Sequence, residues 1–479
     1  MPVARTIARN TALQLGGHAV ALAVSVSMLS VVARYLGVRG YGVYSVATAA
    51  FGLAVAAVGT GLDTVAVRTF AADGADRLLF RRVLGLRIAA TAAAAVVVAA
   101  LVWLLPLGRD ARLAVAVLAV AATIGGAQAA FTTLLQARQA FGVPVLADTL
   151  ARVLGLTGFL VLAFALAPLP HDRGIRVVLV LACSTVAAAL ILAGTVLYLR
   201  CRGVPCRPAY DGRTWRSLTR QAAPLGIATV LGIASYRLDI LVLAALKGSA
   251  AAGIYGLAYR FVDASIPIAV FFVGAAFPAF SRSLADGSFE RLHAQRALDF
   301  LLLVSLPLCL GGVAIAPQLV HVFAGPAYAR ADVPLRLLLL SLPFTFVTMF
   351  LVSLAIASGR QGTVAWLTGG GVVLNLLLNL ALVPRYSYVA SASATLASEV
   401  AGTIALVALA HRWFGLRLGL RTAVRGTAAA LVSAAAASLL VPLGIATAVA
   451  TGIVVYAAGA LLLRVVTLPE LRLLAGRAS

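Results

Sequence analysis

The chain has 479 residues, 62% of them hydrophobic and only 11% charged, with a mean hydropathy of +1.04. Soluble domains are about 45–50% apolar and about 25% charged, so a water-soluble enzyme or binding module is excluded and a polytopic membrane protein is implied. The net charge of +23 does not indicate nucleic acid as a partner, because the basic residues sit at the ends of apolar runs and not on one solvated domain.

A helix needs roughly 20 apolar residues to cross a bilayer. Fourteen such runs are predicted, near 11–33, 43–66, 84–106, 113–135, 145–169, 177–199, 222–245, 252–279, 299–323, 337–357, 362–383, 388–410, 426–443 and 445–463. Arg5 and Arg9 precede the first, which reads as an uncleaved helix. His18, inside it, reads as a hydrogen-bonded packing residue. Arg87 lies one turn into the third run, where its side chain is predicted to snorkel to the headgroups. On the fifth, Asp148 and Arg152 are spaced as an i,i+4 ion pair. Pro307, Pro317 and the run Gly369–Gly370–Gly371 are candidate bends in the ninth and eleventh. Pro442 and Gly444 divide the last apolar stretch in two. Cys183, Cys201, Cys206 and Cys309 form neither a disulfide framework nor a zinc-binding pattern.

Basic residues mark the cytoplasmic connections of membrane proteins. With the N-terminus inside, the inner connections hold more than twice the Arg and Lys of the outer ones, and Arg200–Arg220 is the most basic of all. Both termini are therefore expected to be cytoplasmic.

The early stretch of the chain recurs later. Gly37, Gly42, Tyr44 and Ala47 reappear as Gly248, Gly253, Tyr255 and Ala258, each 211 positions on, and Arg9 and Ala12 map in the same way onto Arg220 and Ala223. A constant offset over this length indicates duplication. Six helices per repeat make the two halves enter the membrane in the same direction, with a pseudo-twofold axis along the membrane normal and any substrate path expected between them. The expected division is an N-terminal lobe at 1–199, a basic cytoplasmic loop at 200–221, a C-terminal lobe at 222–410, and two further helices with a tail at 411–479. The fold class is all-α.

Helices eleven and twelve read LNLLLNLALVPRYSYVASASATLASEV. Asn375 and Asn379 share a helical face. Pro384 and Tyr386 follow, and then the small residues Ala392, Ala394, Thr395 and Ser398. This resembles the pattern of the polysaccharide-exporting, Wzx-type branch of the multidrug/oligosaccharidyl-lipid/polysaccharide (MOP) flippase superfamily. The stretch RYLGVRGYGVYSVATA, with Gly37, Gly42 and Tyr44, is similar to that family's first loop and second helix. AGPAYARADVPLRLLLLS, with Tyr328, Pro334 and Leu337, is similar to its ninth-to-tenth connection. Ser387 and Ala390 depart from the family by standing where it usually has glycine. The resemblance implies a MATE/MOP-like fold in a bacterial inner membrane, with two six-helix lobes working by alternating access. It implies as substrate an oligosaccharide on a polyprenyl pyrophosphate, with membrane lipid around the protein and the pathway's glycosyltransferases and polymerase as partners. No cofactor or metal is implied.

A charge near the bilayer centre costs about 2.5–3.5 kcal/mol on insertion scales, so it faces protein or water. Arg237, Asp239, Arg260 and Asp263 flank a hairpin turn expected near Gly248, at depths that suit cross-pairing. They read either as a cationic cavity wall that grips pyrophosphate through bidentate guanidinium groups, or as a self-neutralised cluster holding two helices together. The first repeat has Val26, Met28, Ala49 and Gly52 at the matching positions, so the hairpin itself does not demand charge. Arg152 is a further candidate for the cavity. Glu399 has no ionic partner nearby in its own helix, and with Asp148 it is a candidate for proton or cation coupling. Asn375 and Asn379 read as interhelical hydrogen-bonding residues in preference to ligands. A drug or cation antiporter of the same superfamily is the competing function. A membrane enzyme is disfavoured: the early external loop Arg34–Gly42 lacks acidic groups, no large external loop exists, and neither a nucleophile elbow nor a phosphate-cradling loop is present.

Overall fold

The computed structural model describes residues 2–72, 77–104, 109–138, 140, 142–165, 173–416 and 419–463, with side chains described from position 24 onward. His18 lies outside those side chains. Among the described residues twelve α-helices follow in order: α1 (Pro2–Ala72), α2 (Arg77–Leu104), α3 (Arg109–Ala137), α4 (Gly142–Ala165), α5 (Arg173–Cys201), α6 (Gly212–Ala285), α7 (Arg291–Ala314), α8 (Ala316–Ala324), α9 (Asp332–Ala357), α10 (Gln361–Phe414), α11 (Leu420–Leu440) and α12 (Ile445–Leu462). There is no strand among the described residues, and ten helical stretches among them are long and apolar enough to cross a membrane. In lipid every backbone amide needs an internal partner, and an uninterrupted helix supplies it.

The three longest helices each hold one break in helical geometry, and so each accounts for two of the expected spans. The breaks fall at Gly37 (φ 63°, ψ 176°) in α1, Gly248 (φ 81°, ψ 178°) in α6 and Ser387 (φ 53°, ψ −135°) in α10. Gly37 and Gly248 are repeat equivalents and share a backbone region essentially reserved for glycine. The ninth expected span divides at Ile315: α7 runs through Pro307, and Pro317 opens α8. The Gly369–Gly371 run stays helical within α10. A short 3-10 turn, Val441–Leu443, and Gly444 at φ 119° separate α11 from α12.

The chain divides into two compact units, Met1–Gly253 and Ile254–Ser479. In the first, Leu62 and Phe70 of α1, Phe80 and Leu84 of α2, Phe131 and Leu134 of α3, Leu199 of α5 and Leu218 of α6 form one buried cluster. The basic connection after α5 folds back on α2. The Arg82 Nε stands 3.0 Å from an Asp211 carboxylate oxygen, and the Trp215 indole N–H donates to the Arg82 carbonyl at 3.0 Å. Asp211 also accepts from the Thr214 hydroxyl (2.7 Å) and the Arg213 backbone N–H (3.1 Å), which caps α6. The segment expected as loop at 200–221 is therefore helical from Gly212 onward.

The first unit also contains a crossing of repeat-equivalent residues. A side chain on Gly42 would run into the Ser249 carbonyl, and one on Gly253 into the Val38 carbonyl. Val38 and Ser249 are themselves 211 apart, as are Gly42 and Gly253, so the contact is reciprocal. Only glycine lets backbones come this close.

In the second unit, α9 packs between α7 and α10, and α11 against α12 and α7. Buried Tyr328, Phe346 and Phe350 fill its interior. The Ser433 hydroxyl donates to the Gly452 carbonyl (2.7 Å) and the Tyr456 hydroxyl to the Leu303 carbonyl (2.6 Å), fixing α12 on its neighbours.

Candidate substrate and coupling residues

Of the residues singled out from sequence, Asp239 is fully buried and Arg237 is half-buried, both on the first leg of α6. On the second leg, Arg260 Nη1 and Asp263 Oδ2 are 3.9 Å apart, one helical turn away from each other and both partly exposed. In the first unit, Arg152 Nε meets Asp148 Oδ2 at 3.0 Å. The same arginine reaches across to α1, donating from Nη1 to the Ser25 hydroxyl at 3.2 Å. That pair is exposed at the helix surface, and its two charges satisfy each other.

Arg87 differs from expectation. It does not snorkel; it is 4% exposed and its guanidinium grips the Asp63 carboxylate with both terminal nitrogens. Nη1 also donates to the Gly59 carbonyl at 3.1 Å, and the Thr133 hydroxyl donates to Asp63 at 2.9 Å. Three helices, α1, α2 and α3, are thereby tied at one charged point. Hydrogen bonds at short range outweigh snorkelling because a buried guanidinium with a carboxylate partner has no need of the headgroup region.

In the second unit, polar side chains converge from α6 and α10. The buried Tyr255 and Thr395 hydroxyls are 3.2 Å apart. Asn379 donates through Nδ2 to the Asn375 carbonyl (3.0 Å) and to its side-chain oxygen (3.2 Å), and both asparagines are buried. Glu399, partly buried, has the Thr345 hydroxyl of α9 beside its carboxyl, and that hydroxyl donates to the Ser341 carbonyl at 3.1 Å. The Thr403 hydroxyl donates to the Glu399 carbonyl (2.7 Å) and lies 2.9 Å from Thr348. Thr345 therefore stands at the carboxyl of Glu399, and Thr403 at its main chain.

Residues 7–284, more than half of the chain, match the polysaccharide biosynthesis protein family. The chain belongs to this family. Residues 224–381 also match the MatE family. No curated protein matches its sequence. Among solved structures, its fold is similar to the lipid II flippase MurJ in an inward closed conformation, with TM-score 0.76 and 13% identity over 94% of this chain and 98% of that one. It is also similar to an inward-facing multidrug resistance MATE family transporter, with TM-score 0.64 and 14% identity over 79% and 93%. A third likeness is to a MOP superfamily transporter from Pyrococcus furiosus, with TM-score 0.56 and 16% identity over 85% and 94%. The family matches and the shared fold place the chain in the MOP superfamily, as a multi-pass membrane flippase or transporter.

Proposed function

We propose that this protein moves a polyprenyl-pyrophosphate-linked oligosaccharide from the cytoplasmic to the outer leaflet of a bacterial inner membrane, by alternating access. The observation that carries the reading is the polysaccharide biosynthesis match over residues 7–284, supported by the fold likeness to a protein described as a lipid II flippase. Arg237, Arg260 and Arg152 engage the pyrophosphate, and Asp239, Asp263 and Asp148 hold those guanidinium groups in orientation when no substrate is present. The sugars follow a hydrated path while the lipid tail stays in the bilayer, and no covalent bond changes. Both termini are cytoplasmic, on the side of the basic connection after α5.

The test is reconstitution in liposomes with a fluorescent lipid-linked oligosaccharide on one leaflet. Protein-dependent appearance of the sugar on the other leaflet supports the reading; absence of transfer from correctly folded protein rejects it. A second reading, a drug or cation antiporter, is favoured by the MatE match over residues 224–381 and by Glu399, an acidic side chain within α10 beside Thr345. Ion-driven dye efflux from the same vesicles, without sugar transfer, selects it.

A further inference from the structure

In the second unit, α6, α9 and α10 finish at the end where α7 and α10 begin, and a cavity of about 700 Å³ opens there. Its wall carries Arg291, Arg360 and Arg412 beside Phe289, Trp413 and Phe414. We propose that this cavity binds the phosphate of an anionic lipid headgroup.

Depth is the first argument. Ala285, Arg291, Ala357 and Phe414, all lining residues, are each the first or last residue of an apolar span. The cavity therefore lies at headgroup level, where aromatic and basic side chains meet the lipid surface. By the arginine asymmetry of the sequence, this is the inner leaflet.

Charge is the second. Among the described residues, no carboxylate forms an ion pair with any of the three arginines. The adjacent Glu290 carboxylate lies 3.2 Å from the His293 Nδ1, with both side chains exposed. The His411 Nδ1 stands 3.1 Å from the Leu416 carbonyl. Only Arg412 lies in the last turn of a helix, where it can complement a dipole of about half a charge; Arg291 opens α7 and Arg360 caps the start of α10. Here three helix C-termini meet two N-termini, so the dipoles cancel to within about half a charge. The dipoles therefore offset little of the three positive charges.

Shape is the third. The Arg360 guanidinium carbon lies 5.0 Å from the Trp413 ring centre and 5.3 Å from that of Phe414. Stacking uses the faces of the guanidinium and leaves its N–H edge for an oxyanion. At Gly415 (φ +66°), a Cβ would come within 2.7 Å of the Arg291 guanidinium carbon. A bare backbone there is what seats Arg291 beside the cavity.

The test uses full-length protein carrying Trp103→Phe, Trp215→Phe and Trp366→Phe, so that Trp413 alone reports. In zwitterionic detergent it is titrated with short-chain phosphatidylglycerol, short-chain phosphatidylcholine, inorganic phosphate and pyrophosphate. Phosphatidylglycerol is expected to change Trp413 fluorescence saturably, and the other three are not. Arg291→Gln, which leaves the Arg360–Trp413 stack in place, raises the half-saturating concentration about tenfold, the effect of losing a charged hydrogen bond. Arg385→Gln, beside the break in α10 at the far end, leaves it unchanged. Gel filtration and circular dichroism confirm that each variant is folded; if Arg291→Gln is not, Arg412→Gln carries the same reading. An equal response to inorganic phosphate or pyrophosphate overturns the lipid as source. An equal response to phosphatidylcholine, no response at all, or an unshifted titration in the folded arginine variants overturns the site.

Discussion

At Gly37 and at Gly248 the chain makes one and the same turn, with φ/ψ of 63°/176° and 81°/178°. The legs that meet there differ in chemistry. Around Gly248 they carry Arg237, Asp239, Arg260 and Asp263, whereas the equivalent positions around Gly37 are Val26, Met28, Ala49 and Gly52. Duplication preserved the backbone of the hairpin while only the second copy bears the charges. The first copy keeps its buried ion pair elsewhere, between Asp63 on α1 and Arg87 on α2, where three helices are stapled together. A conserved turn with charges on one side only separates what the fold requires from what transport is proposed to require.

The largest expected effect tests the charged hairpin directly. Arg260→Ala is expected to abolish export of the lipid-linked sugar, assayed by leaflet transfer in liposomes, while leaving the protein folded in the membrane. Full export by this variant and by Arg237→Ala would make the charges structural. Asp63→Ala strips the partner from a guanidinium that is 4% exposed, and a broken buried pair costs about 3–5 kcal/mol. Loss of folded protein on detergent gel filtration checks it. Arg87→Ala should be milder, because Asp63 is 37% exposed and can be solvated.

The glycine crossing is the next to probe. Gly42→Ala drives a methyl into the Ser249 carbonyl and is expected to cost about 3 kcal/mol, the upper range of overpacking. Gly52→Ala, ten residues along the same helix with nothing within 4 Å of a Cβ, should be neutral or stabilising by up to about 1 kcal/mol. Equal thermal shifts in the two variants would deny the crossing any role. At the third break, Ser387 is the only non-glycine with positive φ among the described residues. Ser387→Gly should stabilise by about 1 kcal/mol through relief of backbone strain, read as a rise in Tm.

The smallest effect concerns Asp211. The Thr214 hydroxyl, first, with the Arg213 amide and Arg82, holds its carboxyl below the ordinary carboxylate range. A lowered folded-state value means that the stabilisation is complete above that range and fades as pH falls through it. Asp211→Asn should flatten this acid limb of the Tm-versus-pH curve, lowering Tm slightly at neutral pH and leaving it unchanged at acid pH.

The hairpins were legible because glycine marks a backbone that other residues reach only with strain, and the 211-residue offset exposed both copies. The spans were legible from hydropathy alone. Ser387 was visible as a departure from glycine, but its positive φ needed coordinates. The Asp63–Arg87–Thr133 knot was not legible: its members sit on three helices with no shared periodicity, and Asp63 lies at the very end of an apolar run. Thr345 as a partner of Glu399 was hidden for the same reason. The helical start at Gly212 did leave a signal, since Asp211 with Thr214 is a capping pattern, and the density of arginine around it masked that signal. The cavity at Arg360 is assembled from the ends of separate helices, which no single window of sequence displays.

The reciprocal approach of Gly42 and Gly253 bears on how the two copies drift apart. At most positions a duplicated segment is at liberty to diverge, as the hairpin charges did. Here each copy's main chain is the wall against which the other copy's residue is fitted. A larger residue at either position would demand a retreat by both strands of the ancestry at once. These two positions should therefore stay locked to their founding residue while the surrounding helices change.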